Sequence, residues 1–243
     1  LAEENIIYKS ETSGKSYSFN TAQKLNTLLL RMIRRMGLIK AGSHVDLDFD
    51  HQFIPSHKFD AKYYYKQDHG YFPGWASIGG IIVEGENRDG NTNVRFHQED
   101  TLRRIMDRVT SELGVVIERF RADCGSFSKE IIHPVESRCN TFYIRAANCG
   151  SRHEEFRQLK ERKSVEVGYE RCDVTSVSID NLIEGKSYRL VVQRSPLKDK
   201  HGRERTDMFG VIYTYRCILT NNWMSTEKDI ITFYNERGAS EKN

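Results

Sequence analysis

The chain has 243 residues, 38% hydrophobic and 29% charged, with 37 Lys and Arg against 34 Asp and Glu. At about 100 to 200 residues per domain this allows one large domain or two small ones, and the near balance of charge excludes both a strongly charged tail and a compositionally disordered chain. No apolar run approaches the roughly 18 residues that span a bilayer and no basic-then-apolar leader opens the chain, so a cytoplasmic protein with no membrane partner is expected.

Residues 1–20 are polar and read as a loose remnant, and Leu1 in place of an initiator Met points to a piece of a longer product. From Thr21, Leu25, Leu28, Leu29, Met32, Ile33 and Met36 recur at helical spacing, with Asn20 as a candidate N-cap and Gly37 as a stop. The spacing predicts a helix with one packed face and one basic face. Val45 to Asp50 alternates strictly, Val45, Leu47 and Phe49 on one side and Asp46, Asp48 and Asp50 on the other, which predicts a strand with an acidic face. Residues 57–75 interleave Lys58, Lys62 and Lys66 with Tyr63, Tyr64, Tyr65, Tyr71, Phe72 and Trp75. That mixture suits either sheet packing or the stacking of bases.

A hairpin is predicted from strands near Ala76 to Val83 and Thr92 to His97, turning at Asp89-Gly90. Leu102, Ile105, Met106, Val109 and Leu113 mark an amphipathic helix closed by Gly114. Val115 to Phe120 is a buried strand leading into Arg121-Ala122-Asp123-Cys124-Gly125, followed by a helix from about Ser128 and a strand over Thr141 to Ala146. Residues 153–163 form a charged helical segment, and 164–219 hold β-rich runs near Val165, Val174, Tyr188 and Val211 with a basic loop from Pro196 to Asp207. This looks like an inserted β subdomain. A final helix starts near Thr226, where Asp229 three residues on fits a capping box. The expected division is therefore 1–44 (remnant and basic helix), 45–152 (first part of an α/β core), 153–222 (β-rich insertion) and 223–243 (terminal core helix).

Five cysteines at wide spacing, with no CxxC pair, argue for reduced thiols and against a structural zinc site. The charge is unevenly spread: residues 20–40 and 185–217 together carry +10, so the remainder carries −7. Local basic surfaces beside an acidic body suit a phosphate binder with a cation site, and equally suit solvated surface. Three acids stand at informative places, one in the first acidic strand, Asp123 at a strand end and Glu241 on the last helix. Carboxylates that converge repel one another and are tolerable when divalent cations neutralise them, and magnesium, a hard ion, takes oxygen ligands. Each acid also has an ordinary reading, as strand surface, turn residue or helix surface.

The run Tyr234, Asn235, Glu236, Arg237, Gly238, Ala239, Ser240, Glu241 resembles the Y-x2-R-x3-E part of the YREK signature of bacterial insertion-sequence transposases of the DDE type. With the acidic strand and the Arg121-to-Ser126 segment, the resemblance extends from about Val45 to the end of the chain. It implies an RNase H-like mixed sheet flanked by helices, with a β-rich insertion between the second and third acids. It also implies metal-dependent DNA cleavage and strand transfer, a cofactor of two Mg²⁺ (or Mn²⁺) ions, double-stranded DNA as partner, a homodimer in the synaptic complex, and a bacterial, nucleoid-associated location. Carried over by position, Asp123 and Glu241 are the second and third metal ligands and catalytic acids. The first is Asp50, with Asp48 as the fallback, because relatives place Thr two residues after the acid whereas Gln52 stands here. Tyr234 and Arg237, with the loop residues Lys198, Lys200, Arg203 and Arg205, are expected to contact the DNA backbone. The signature's Lys would fall beyond Asn243.

Overall fold

Strict alternation from His44 to His51 decides the centre of the fold. Successive strand residues face opposite sides of a sheet, and here Val45, Leu47 and Phe49 are buried while Asp46, Asp48 and Asp50 are half-buried. The structure, a computed structural model, describes residues 4–64, 67–147 and 149–237. It is mixed α/β, in two compact units, Leu1–Asn140 and Thr141–Asn243.

The first unit runs β1 (Asn5–Lys9), β2 (Ser16–Asn20), α1 (Gln23–Arg35), β3 (His44–His51), β4 (Ile54–Pro55), β5 (Lys62–Tyr64), β6 (Asp68–Tyr71), β7 (Gly74–Ile78), β8 (Ile81–Arg88), α2 (Gln98–Leu113), β9 (Val116–Ala122) and α3 (Lys129–Glu136). Its main sheet has the order β1-β2-β8-β7-β3-β9, with β3 and β9 parallel and the other neighbours antiparallel. β3 is therefore central, and its acidic face is not the wet side of an edge strand. β4, β6 and β5 form a small antiparallel sheet of their own.

Helix α2 forms where the sequence puts apolar residues on one stripe: Leu102, Ile105, Met106, Val109 and Leu113 are all buried, and Gly114 closes it in the left-handed conformation. It carries the chain from β8 over to β9, and its arginines reach the sheet, Arg104 to Glu86 at 2.7 Å and Arg108 to Glu84 at 2.6 Å. Ser128 caps α3 by accepting from the Ile131 N–H.

Three elements differ from the sequence expectation. Residues 5–20 are a hairpin in the sheet rather than a loose remnant: Phe19 is fully buried, with the Arg88 guanidinium 4.4 Å over its ring. Two to three apolar side chains per strand suffice because β8 supplies the partner edge. The hairpin of β7 and β8 turns at Gly79-Gly80, whose φ values of 57° and 81° suit a tight primed turn, and 92–97 is irregular rather than a strand. In α1 the buried residues are Asn26, Leu30 and Ile33, whereas Leu25, Leu28, Met32 and Met36 are at least half exposed. Asn26 fixes this rotation, its amide donating to Gly85 O and Thr21 O. The N-cap is Ala22 rather than Asn20, whose side chain accepts from the Ala22 N–H.

The second unit contains β10 (Thr141–Arg145), α4 (His153–Gln158), β11 (Lys163–Val167), β12 (Glu170–Asp180), β13 (Ser187–Pro196), β14 (Thr206–Asp207), β15 (Gly210–Val211), β16 (Tyr213–Thr220) and α5 (Glu227–Glu236). Within it the strand order is β10-β16-β13-β12-β11, all antiparallel, with β14 and β15 paired in the loop between β13 and β16. Thr226 caps α5 by accepting from the Asp229 N–H, the expected capping residue. Ile230, Ile231, Phe233 and Tyr234 of α5 pack on Tyr143, Val174, Val191 and Ile218. The compact units thus divide between Asn140 and Thr141, whereas the sequence placed its boundaries after 44, 152 and 222. The reason is that β10, read as part of the first core segment, pairs with β16.

Candidate functional site

Parallel pairing of β3 with β9 sets the acidic face of one strand beside a basic face of the other. Asp46 lies opposite Arg119 and Asp48 opposite Arg121. Both pairs are bidentate, at 2.6 and 2.6 Å for Asp46 and 2.6 and 2.8 Å for Asp48. The first pair is the more exposed, with Asp48 and Arg121 only 15% and 9% accessible. The register runs to Phe49 opposite Ala122. Asp50 and Asp123 are the next residues along the two chains, each at the carboxyl end of its strand.

The backbone holds both carboxylates at the C-terminal ends of their strands. Asp50 Oδ1 accepts from the His51 N–H at 2.9 Å. Asp123 is extended and caps the short 3-10 turn Cys124–Ser126, its Oδ1 accepting from the Gly125 N–H at 2.9 Å. Gly125 is required by close approach, since a Cβ there would come within 2.9 Å of both Asp123 Oδ1 and Val94 Cγ2. Arg95 ties the neighbouring loop to the same turn, donating to Gly125 O and Cys124 O, each at 3.4 Å.

Asp123 opens onto a cavity of about 700 Å³. One wall is aromatic: Phe53 stacks on Tyr64 at 4.3 Å, and His51 stacks on Phe72 at 5.2 Å. The other wall is the loop Asn91, Thr92, Asn93 and Val94. Burial, helped by the Arg88 charge, holds the His51 imidazole well below its usual pKa and so neutral.

The remaining sequence-predicted residues fall elsewhere. Glu241 lies outside the described residues. Tyr234 is 6% exposed in the core of the second unit, and the Arg237 guanidinium lies 6.0 Å from its ring. Lys198, Lys200, Arg203 and Arg205 are exposed along the β13–β16 loop, where Lys198 pairs with Glu170 at 3.3 Å and Asp199 accepts from the His201 and Arg203 N–H groups. Sequence reading missed Arg119 and Arg121. The signal was present: Arg119, Arg121 and Asp123 repeat the period of two seen in Asp46, Asp48 and Asp50. It also missed His51, Thr92 and the 91–94 loop, which share no pattern and come together only through the fold.

Carboxylate oxygens are the donors that a hard divalent cation takes, so Asp50 and Asp123 fit magnesium or manganese by donor chemistry. Among the described residues, a group with ligand atoms close together is His97, Glu99 and Asp100 at the start of α2, His97 Nδ1 lying 3.0 Å from Asp100 and 3.7 Å from Glu99. Acids in a first helical turn are stabilised by the helix dipole, and the histidine pairs with them. That accounts for the cluster without an ion. None of the described helices is long and apolar enough to cross a membrane. No protein-family model matches the chain, and no curated protein matches it significantly.

Proposed function

We propose that the chain is the catalytic core of a DDE-type insertion-sequence transposase, which cleaves the ends of the element and transfers the 3′-OH strand to target DNA. The observation that carries this reading is that Asp50 and Asp123 stand at the carboxyl ends of two adjacent parallel strands, each one residue past the last paired positions Phe49 and Ala122. Ligands of α/β sheets gather at such strand ends. The order β8-β7-β3-β9, two antiparallel hairpin strands beside a parallel pair, with α2 leading from β8 into β9, supports an RNase H-like sheet as the scaffold.

In this reading Asp50 and Asp123 hold divalent metal, Mg²⁺ or Mn²⁺, and Glu241 is the third ligand on the resemblance alone. Bound ions of this kind activate the attacking oxygen and stabilise the leaving one at phosphorus. Asp48, the fallback ligand, is engaged by Arg121, so its part is to lock β3 against β9 and fix the height of Asp50. The Asp123 cap holds its carboxylate rigidly through the Gly125 N–H, which limits the reorganisation that metal binding costs. The exposed Lys198, Lys200, Arg203 and Arg205 suit contacts to phosphates of double-stranded DNA, as does Arg237. Tyr234 offers little surface for that role. Two copies would be needed to hold two ends together.

The test is Mn²⁺-dependent cleavage of DNA bearing the element's ends. The wild-type chain should yield both nicked and strand-transfer products, and Asp50→Ala and Asp123→Ala should lose both. Nicks without strand transfer would assign a nuclease of the same scaffold instead. Undiminished cleavage by Asp123→Ala would contradict the reading.

A further inference from the structure

We propose that Cys149 and Cys217, both in the second unit, form an oxidisable thiol pair: a peroxide oxidises Cys149, and Cys217 then closes a disulfide onto it. The inference goes beyond the reading of the chain as a transposase and does not depend on it.

The register of a short helical segment on a strand brings the two thiols together. Side chains of β16 alternate between two faces. Ile218 joins Ile230 and Phe233 of α5 in one cluster, so Tyr215 and Cys217 share the opposite face. On that face sit the 3-10 turn Cys149–Arg152 and α4. The His153 ring lies 4.7 Å from the Tyr215 ring, and the Phe156 ring 5.7 Å from it. Four residues back along a helical segment cover about 6 to 8 Å, and two residues along a strand cover about 6.7 Å. His153 on Tyr215 therefore sets Cys149 level with a strand residue two positions away. The backbone decides which one. Ala146 N–H donates to Cys217 O at 2.9 Å, and Cys149 Sγ folds back to 3.8 Å from Ala146 O and 3.7 Å from Ala147 O. Cys149 thus meets Cys217, and the two thiols hydrogen-bond.

The two sulfurs are unequal, and the difference assigns their roles. Cys149 is half-buried and Cys217 only 2% exposed, so a solute reaches Cys149 first. The hydrogen bond from Cys217, with the Arg152 and Arg145 charges, holds the Cys149 thiol below its usual range. The same hydrogen bond, with burial, pushes Cys217 up. The thiolate is the nucleophile, and accessible thiolates beside a second cysteine are the ones that oxidise reversibly. The Cys149 thiolate attacks one peroxide oxygen: an S–O bond forms, the O–O bond breaks and the second oxygen leaves as hydroxide. Cys149 is then a sulfenic acid. The Cys217 sulfur attacks the Cys149 sulfur: the S–S bond forms, the S–OH bond breaks, and the departing hydroxide takes the Cys217 proton as water. Two thiols are oxidised and one peroxide is reduced. Cys139 and Cys172 are placed differently. The Cys139 thiol donates to Val135 O at 3.3 Å, and burial pushes it up to about 12. Cys172 is enclosed in the α5 cluster on the other face of the sheet.

The test treats the whole reduced chain with equimolar hydrogen peroxide, alkylates the remaining thiols in denaturant and maps the peptides by mass. The expected product is one peptide pair linked through Cys149 and Cys217, with the other three of the five cysteines alkylated and all five alkylated after dithiothreitol. Cys149→Ser should lose the linkage. In Cys217→Ala the oxidation should stop at the sulfenic acid, giving a dimedone adduct on Cys149 that the wild type does not accumulate. Should Cys217→Ala fail to fold, the wild-type map and Cys149→Ser, at a half-buried position, decide the matter alone. No linkage between Cys149 and Cys217, or oxidation confined to the exposed Cys124, would overturn the proposal. A dimedone adduct on Cys149 that is equal in the wild type and Cys217→Ala would remove Cys217 from its role.

Discussion

The two faces of the sheet in the first unit use acidic side chains in opposite ways. On the face toward α2, Glu84 meets Arg108 and Glu86 meets Arg104, both acids almost fully buried. On the other face Asp46 and Asp48 of β3 are also matched with arginines of β9, while Asp50 and Asp123 follow at the strand ends, where Asp123 lines a cavity. What distinguishes the candidate site is this position at the strand ends beside a cavity. An acid packed against an arginine within the sheet is structure, and acids at strand ends beside a cavity are placed for a cation.

The contrast is sharpest for Asp123→Asn, which keeps an oxygen to accept the Gly125 N–H and removes only the charge. It should abolish metal-dependent cleavage, by at least the roughly 100-fold that loss of a mere supporting partner of a metal site can cause, while thermal unfolding stays within a few degrees of wild type. An equal loss from Glu86→Gln would erase the distinction between the faces. Next in size is Arg121→Ala, which leaves Asp48 without its partner in a pair only 9% and 15% accessible. Breaking such a pair costs about 3 to 5 kcal/mol, measurable by urea unfolding.

Glu84 tests the buried face through pH. Burial, only partly offset by Arg108, pushes its carboxyl up from 4.5 to about 8, and its Oε2 is buried with no hydrogen-bond partner among the described residues. The folded state therefore takes up a proton there. The resulting stability is fully present below about pH 4.5 and is lost as pH rises through about 8. Glu84→Gln should flatten the stability profile over that window, and an unchanged slope would refute the assignment. Arg119→Ala is the smallest effect, about 0 to 1 kcal/mol, because its pair with Asp46 is 42% and 30% accessible and screened by water. A large loss there would mean that the first rung matters as much as the second.

Much of this was legible in the sequence where a single period decides the outcome. The alternation of Val45 to Asp50, the apolar stripe of α2 with Gly114 behind it, and the Thr226 cap all appear where the spacing put them. The hairpin at Gly79-Gly80 was misread because Asp89-Gly90 is also a turn signal, and only pairing across β7 and β8 decides between them. The face of α1 went wrong because Asn26, a polar residue inside the apolar stripe, is held in the interior by one local carbonyl, Thr21 O, and one distant in sequence, Gly85 O. Asp50 and Asp123 could be named from strand patterns, but that they end neighbouring strands depends on the pairing of segments 73 residues apart, as the Asp48 and Arg121 pair shows. The cavity was beyond reach: His51, Phe53, Tyr64, Thr92 and Asp123 come from separate segments.

The central claim, a cation held between Asp50 and Asp123, is tested most directly by loading the protein with Fe²⁺ and triggering local backbone cleavage with ascorbate and peroxide. The account predicts fragments cut near residues 50–51 and 123–125, suppressed by excess Mn²⁺ and absent in Asp123→Asn. Cuts confined to 97–100, at His97, Glu99 and Asp100, would contradict it.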